Sequence, residues 1–245
     1  MADPTDDIYD PDFVKDVFDR CSNAYILFST VMSFGFTERW RRQCAQALPD
    51  VEMDAPLCFD LMSGTGEVWP HLRRARPDIA EIRAIDISSG MHERALQRIS
   101  ERWADTVTFQ RADVLAADLE DGSADMIVST FGLKTFNDTQ QQTLARLTAR
   151  LLRPGGAFSF VEASDPKGWV LRPLYRFYLH GVLPLIERFI LRGATDFRML
   201  GVYTANFGDA RGFAKALEDC GLEVTYTRYV FGCATGVSGR KPRAR

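Results

Sequence analysis

From residue 57 onward the chain alternates short apolar runs with segments of helical period, and this alternation limits the fold more than any other feature. LCFDLM (57–62) is apolar without a polar face, as in a strand buried on both sides. EIRAIDI (81–87) reads as a second strand and GMHERALQRISERW (90–103) as a helix. TVTFQRADV (106–114) and DMIVSTFG (125–132) supply two more strands. DTQQQTLARLTARLL (138–152) places Leu144, Leu147, Leu151 and Leu152 at helical spacing, Pro154-Gly155-Gly156 stops it, and AFSFVEA (157–163) is a fifth strand. Strands separated by helices imply βαβ units, hence a mostly parallel sheet covered by helices on both faces. DARGFAKALEDCG (209–221) is a late helix, and LEVTYTRYVFGCATGVSG (222–239) holds two strands too close together for a crossover. They are expected as an antiparallel edge.

Residues 13–50 read as a helical cap, with FVKDVFDRCSNAY and TERWRRQCAQAL broken around Ser33-Phe34-Gly35, and Thr37 as N-cap of the second helix. The whole of 13–240 is read as one domain, with 165–205 as an insertion forming a lid. Residues 1–12, with five aspartates, and the basic 241–245 are expected to be mobile tails. A net charge of −3 argues against a nucleic-acid partner. The five cysteines are scattered without CxxC spacing or nearby histidines, which suits a reducing compartment and offers no metal site. The acidic N-terminus is unlike a secretory signal. In 169–192 the longest run without Asp, Glu, Lys or Arg is FYLHGVLPLI, ten residues, too short to span a bilayer. A cytoplasmic protein is expected.

The turn DLMSGTGEVW (60–69) follows the first strand, at the carboxyl end where open α/β sheets hold ligands. The next helix should present N–H groups and a positive dipole end to an anion. A dinucleotide fingerprint would need glycine where Trp69 stands, and no Gly-Lys-Ser/Thr follows as in a P-loop. Phosphate is therefore disfavoured, and a nicotinamide oxidoreductase with it. Asp86 stands twenty residues after Gly66, at the end of the next strand, where an acid accepts from ribose hydroxyls. Asp113 ends the third strand and faces an adenine amino group in this reading. A carboxylate bound by the loop, a ribose and an adenine together describe S-adenosylmethionine, whose cationic sulfonium and ammonium suit acidic surroundings.

These residues resemble the class I S-adenosylmethionine-dependent methyltransferases, and the likeness extends over about residues 17–241. Within that class the chain resembles the UbiE/MenG branch, which C-methylates ubiquinone and menaquinone precursors. Tyr25 through Met32-Ser33-Phe34-Gly35 with Trp40-Arg41-Arg42, Asp60 to Gly66, Phe131-Gly132-Leu133-Lys134, Leu152 to Gly156 and Val161-Glu162-Ala163-Ser164 carry the resemblance. It implies a seven-stranded Rossmann-like sheet and an S-adenosylmethionine site built from Asp60, Met62, Ser63, Gly64, Thr65, Gly66, Asp86, Ile87, Met91, Asp113, Val114, Ser129 and Thr130. It also implies an aromatic acceptor, a quinol or phenol ring. Two positions depart from the branch: Ile26 follows Tyr25 where aspartate is usual, and Lys134-Thr135 replaces arginine-asparagine. Both concern the acceptor, so a small phenolic or N-heterocyclic metabolite stands as the rival substrate. A non-catalytic binding protein on the same fold is a third reading, disfavoured by the intact Asp60, Gly64, Gly66 and Asp86.

A phenolic ring becomes nucleophilic at carbon when its hydroxyl loses a proton, so a neighbouring cation or base is expected. Lys134, His180 and Tyr25 are the catalytic candidates. Phe34, Tyr175, Tyr178 and Tyr203 are expected to wall the acceptor together with Tyr25, while His71 and His92 are assigned no role. The apolar insertion (Trp169, Leu171, Leu174, Phe177, Leu179, Val182, Leu183, Leu185) would cover a hydrophobic acceptor, touch a membrane peripherally, or form a homodimer face.

Overall fold

The computed structural model describes residues 7–22, 29–30, 33–103, 105–182 and 197–243. A single turn, Asp7–Tyr9, leads into α1 (Pro11–Cys21), whose N-cap Asp10 accepts from the N–H groups of Asp12 and Phe13. Part of the acidic stretch expected to be a tail is thus a helix start. Its carboxylates sit where unpaired N–H groups and the dipole favour negative charge. The second helix, α2 (Phe36–Ala47), starts one residue before the expected point, on Gly35 at φ +76°. Thr37 is not its cap. The Ser33 hydroxyl accepts from the Thr37 N–H at 3.1 Å, so the side chain before the glycine does the capping work.

The sheet then builds from β1 (Leu57–Leu61), α3 (Trp69–Ala75), β2 (Glu81–Asp86), α4 (Ser89–Arg102), β3 (Val107–Arg111), β4 (Ala124–Thr130), α5 (Asp138–Leu151) and β5 (Leu152–Ala163). A helical segment follows: α6 (Arg172–Phe177), one π turn (Tyr178–Val182) and α7 (Phe197–Phe207). The chain closes with α8 (Arg211–Asp219), β6 (Glu223–Tyr229) and β7 (Ala234–Arg240). Strand order is β3-β2-β1-β4-β5-β7-β6, parallel except that β7 runs antiparallel to both β5 and β6. The expected seven strands and antiparallel edge are present.

Two apolar layers flank the sheet. On one face Leu61, Ile127 and Phe158 pack with Leu144 and Leu151 of α5 and Phe213 and Leu217 of α8. On the other, Cys58, Ile82 and Val128 pack with Trp40 and Cys44 of α2 and Leu72 of α3. Both faces being covered explains why β1 and β4 read as unbroken apolar runs.

The basic C-terminal residues are docked where they are described. Lys241 Nζ donates to Ala149 O and Leu152 O at 2.7 and 2.8 Å, and Arg243 pairs with Glu52 at 2.6 Å. Carbonyls left open at the end of α5 recruit the lysine. Among the described residues no helix is long and apolar enough to cross a membrane.

Candidate functional site

The chain switches direction across the sheet between β1 and β4, and a cavity opens beyond the carboxyl ends of β1, β2 and β4. It holds about 840 Å³ of empty space, its open mouth included. Met62, Ser63, Gly64, Asp86, Ile87, Met91, Asp113, Val114 and Thr130 line it. Among the residues expected from sequence, Asp60, Thr65, Gly66 and Ser129 do not.

Asp60 is fully buried behind the wall, where its Oδ2 accepts from Trp69 Nε1 at 2.8 Å. Burial pushes its carboxyl well above the usual range. Trp69 also explains Gly66, because a Cβ there would lie 2.5 Å from the indole ring. The site of the missing dinucleotide glycine is therefore filled by an indole that holds the first acid in place. Trp69→Phe is expected to leave that carboxyl without its donor and to lower stability by about 1–3 kcal/mol, read as a fall in melting temperature.

The anion site expected at the next helix is not formed that way. Helix α3 begins only at Trp69, whose own N–H donates to Gly66 O at 3.2 Å. The loop N–H nearest the cavity, that of Gly64, donates to Asp86 Oδ2 at 2.7 Å, and Ser88 N–H donates to Oδ1 at 2.9 Å. Burial nonetheless dominates at Asp86 and raises its carboxyl to about 6. Asp113 is steadied by the Leu115 N–H at 3.0 Å.

Several cavity residues were missed by sequence reasoning. Arg41 is 2% exposed, pairs with Glu38 at 2.8 Å and approaches Glu67 at 3.8 Å, and its guanidinium lies 5.2 Å from the Phe131 ring. The available signal was its position: Thr37, Cys44 and Ala45, four before and three and four after, are all buried, so an arginine sits on the apolar stripe of α2. The Glu67 side chain is 9% exposed, and desolvation raises its carboxyl. Tyr9, Val14 and Phe18 close the cavity from the N-terminal side, with the Tyr9 ring tilted against that of Tyr203 at 5.9 Å. Asp19 anchors this segment by accepting from Ser88 Oγ, Ser89 Oγ and Gly90 N at 2.6, 2.9 and 2.8 Å. Those bonds outweigh burial and hold it at about 2.

A second, wider cavity of about 1700 Å³, again including open space, lies between the end of β4 and the 165–205 segment. Its walls are almost wholly apolar, and Lys134 is its one charged lining residue among those described. Lys134 is 4% exposed; Nζ donates to Glu162 Oε1 at 2.7 Å and to Phe131 O at 2.9 Å. Phe34, Tyr175 and Tyr178 line this cavity as expected; Tyr203 does not. Tyr203 is fully buried and donates its hydroxyl to Ile8 O at 2.7 Å, tying down the N-terminal segment. Tyr25, Leu183 and Leu185 lie outside the described residues, and His180 is placed only as backbone in the π turn. His71 bonds Glu38 at 2.9 Å and His92 packs edge-on to Phe109.

Phe131 lines both cavities and is where they meet. It is held at φ +66°, and Met62 beside it at +53°, conformations that cost a non-glycine residue energy and cluster at functional sites. Gly132 permits the contact: a Cβ there would stand 2.4 Å from Met62 Cβ.

A cavity at the switch point lined by Glu67, Asp86, Asp113 and Arg41 is what one class in particular would need, the S-adenosylmethionine-dependent methyltransferases. Comparison with known proteins agrees. A family model described as the ubiE/COQ5 methyltransferase family matches residues 6–241, and the chain belongs to that family. It is 27% identical over 235 residues to the ubiquinone/menaquinone biosynthesis C-methyltransferase UbiE of Shewanella halifaxensis, covering 94% of this chain and 91% of that one. It is 25% identical to the demethylmenaquinone methyltransferase of Bacillus cytotoxicus, covering 94% and 96%. Human N-acetylserotonin methyltransferase, solved with S-adenosylmethionine, shares the fold at TM-score 0.59 and 17% identity, over 88% of this chain and 55% of that one. The protein is a methyltransferase that uses S-adenosylmethionine.

The cavity fits that cofactor. Ser63 Oγ and Arg41 Nε are both buried at its wall and have no hydrogen-bond partner among the described residues, as a site for a zwitterionic amino-acid group would leave them.

Proposed function

We propose that the acceptor is a hydroquinone-type ring with an apolar substituent, methylated at a ring carbon. The observation that carries this is an apolar cavity, lined by one buried cation, meeting the cofactor cavity at Phe131. The names of the relatives in ubiquinone and menaquinone biosynthesis support the same ring class.

In this reading Asp86 takes the ribose hydroxyls, while Ile87, Met91, Asp113 and Val114 surround the adenine. Ser63, Arg41 and Glu67 meet the amino-acid end, with Met62, Gly64 and Thr130 completing the wall. Asp60, Thr65, Gly66 and Ser129 act from behind it by holding the loop. S-adenosylmethionine, when bound, supplies an electrophilic methyl on a sulfonium. The protein's own part is alignment, exclusion of water and control of one proton. Lys134 uses two of its three N–H donors on Glu162 and Phe131, which leaves one for the acceptor oxygen. A cation at that oxygen favours the phenolate and so raises electron density at the ring carbon. With the acceptor oxygen held at Lys134, the apolar walls of the cavity would keep water away from the ring carbon that is to receive the methyl.

Methyl transfer from labelled S-adenosylmethionine to two acceptor pools tests this. Label in short-chain demethylquinols is the expected result. Label confined to small phenols or N-heterocycles would overturn the quinol assignment and place the protein in secondary metabolism, with Lys134-Thr135 the first residues to examine.

A further inference from the structure

The mouth of the acceptor cavity is bordered by large apolar side chains that the fold leaves in solvent. Val170 is 88% exposed, Phe34 77%, Phe231 66%, Phe177 65% and Leu174 62%. They form one surface: Phe231 stacks on Trp169 at 5.2 Å and 5°, Trp169 leads into Val170 and α6, and Phe34 packs on Tyr178 at 5.6 Å. A monomeric protein rarely exposes a continuous apolar patch of this kind without a use for it.

Charge is distributed unevenly over the same surface. Residues 166–182 contain Lys167, Arg172 and Arg176 and no Asp or Glu, in a chain whose net charge is −3. Asp165, 8% exposed, accepts from Arg172 Nε at 2.7 Å and from its Nη2 at 2.5 Å, which compensates that cation and leaves Lys167 and Arg176 without an ion pair among the described residues. From the end of β6 Arg228 joins the patch, its Nη2 donating to Phe231 O in the following turn at 3.0 Å. That turn is strained: Val230 and Phe231 stand at φ +44° and +58°, where a β-branched or bulky residue is a true outlier. The strained backbone points an aromatic ring outward instead of into the core, and such outliers persist where function requires them.

We infer that this face docks on an anionic lipid surface, with the apolar rim entering the headgroup layer and the basic residues meeting lipid phosphates. Exposed aromatic and aliphatic groups ringed by Lys and Arg, with acids excluded, are what such an interface selects. The cavity mouth would then open toward the bilayer, and an apolar acceptor would reach Lys134 without crossing water. The inference holds whichever ring is methylated.

Sedimentation of the full chain with vesicles tests it, comparing phosphatidylglycerol–phosphatidylcholine mixtures with phosphatidylcholine alone. Binding is expected to the mixed vesicles and to weaken with salt. Arg176→Glu should weaken it about tenfold or more, at a few-fold per interfacial charge. The pair Val170→Glu and Phe231→Glu should abolish it. None of these three residues lines either cavity, so methyl transfer to a water-soluble, short-tailed acceptor should be unchanged and serves as the control for folding. Three results would overturn the inference. They are no sedimentation with either vesicle, equal sedimentation with both, or a concentration-dependent dimer that Phe231→Glu dissolves, which would make the face a self-interface.

Discussion

Lys134→Met is expected to lower kcat about 10²- to 10³-fold on a demethylquinol while leaving affinity for S-adenosylhomocysteine within about threefold. The split follows from geometry, because Lys134 lines the acceptor cavity and not the cofactor cavity. One structural effect has to be separated from the catalytic one. Glu162 is fully buried, and losing its cation partner from a buried pair costs about 3–5 kcal/mol. The cost should fall at the low end here, since the Lys134 and Ala163 N–H groups still donate to Glu162 at 3.0 and 2.8 Å. The double variant Lys134→Met/Glu162→Gln removes both charges and is expected to regain most of the melting temperature but none of the turnover. Lys134→Arg keeps the cation and places there the residue usual in this branch, so it should retain much of the activity. If turnover and cofactor affinity fell together in the single variant and both returned in the double, Lys134 would be a structural residue.

How much of this arrangement was legible beforehand depends on the range of the interactions involved. The strand–helix alternation and the glycine turn are local patterns, and they led directly to the mostly parallel sheet with its antiparallel edge and to a ligand cavity at the carboxyl ends of its strands. Lys134 was found through its place after β4, but its pairing with Glu162 joins the turn after β4 to β5, 28 residues on, and has no local signature. Arg41 entered only as part of the Trp40-Arg41-Arg42 resemblance and was given no site role, although its helical phase placed it among buried residues. Tyr203 was misassigned for the opposite reason. An aromatic within an apolar insertion looks like pocket lining, and only the tertiary contact with Ile8 makes it a clasp for the N-terminal segment. Thr37 failed as a cap because a left-handed glycine one turn away let Ser33 take the bond, a competition decided by backbone geometry.

Asp86 is the group at which pH should be felt most. Burial lifts it from 3.8 to about 6, so between those values the folded protein holds a proton that the unfolded chain has released. This group's contribution to stability therefore falls as pH rises from 3.8 to about 6 and is constant above that. Cofactor binding runs the other way, because only the ionised carboxylate can accept from the ribose hydroxyls with both oxygens while holding the Gly64 and Ser88 N–H groups. Affinity for S-adenosylhomocysteine should accordingly weaken by up to about tenfold for each pH unit below the Asp86 midpoint. The rise in melting temperature at saturating ligand should be clearly smaller near pH 5 than near about pH 7.5. Asp86→Asn is expected to bind about 100-fold more weakly at neutral pH, the loss of two hydrogen bonds to a charged acceptor. It should also flatten the pH dependence, since the titrating group is gone. Calorimetry at two pH values on both proteins checks this; an unchanged affinity in Asp86→Asn would mean that the ribose lies elsewhere in the cavity.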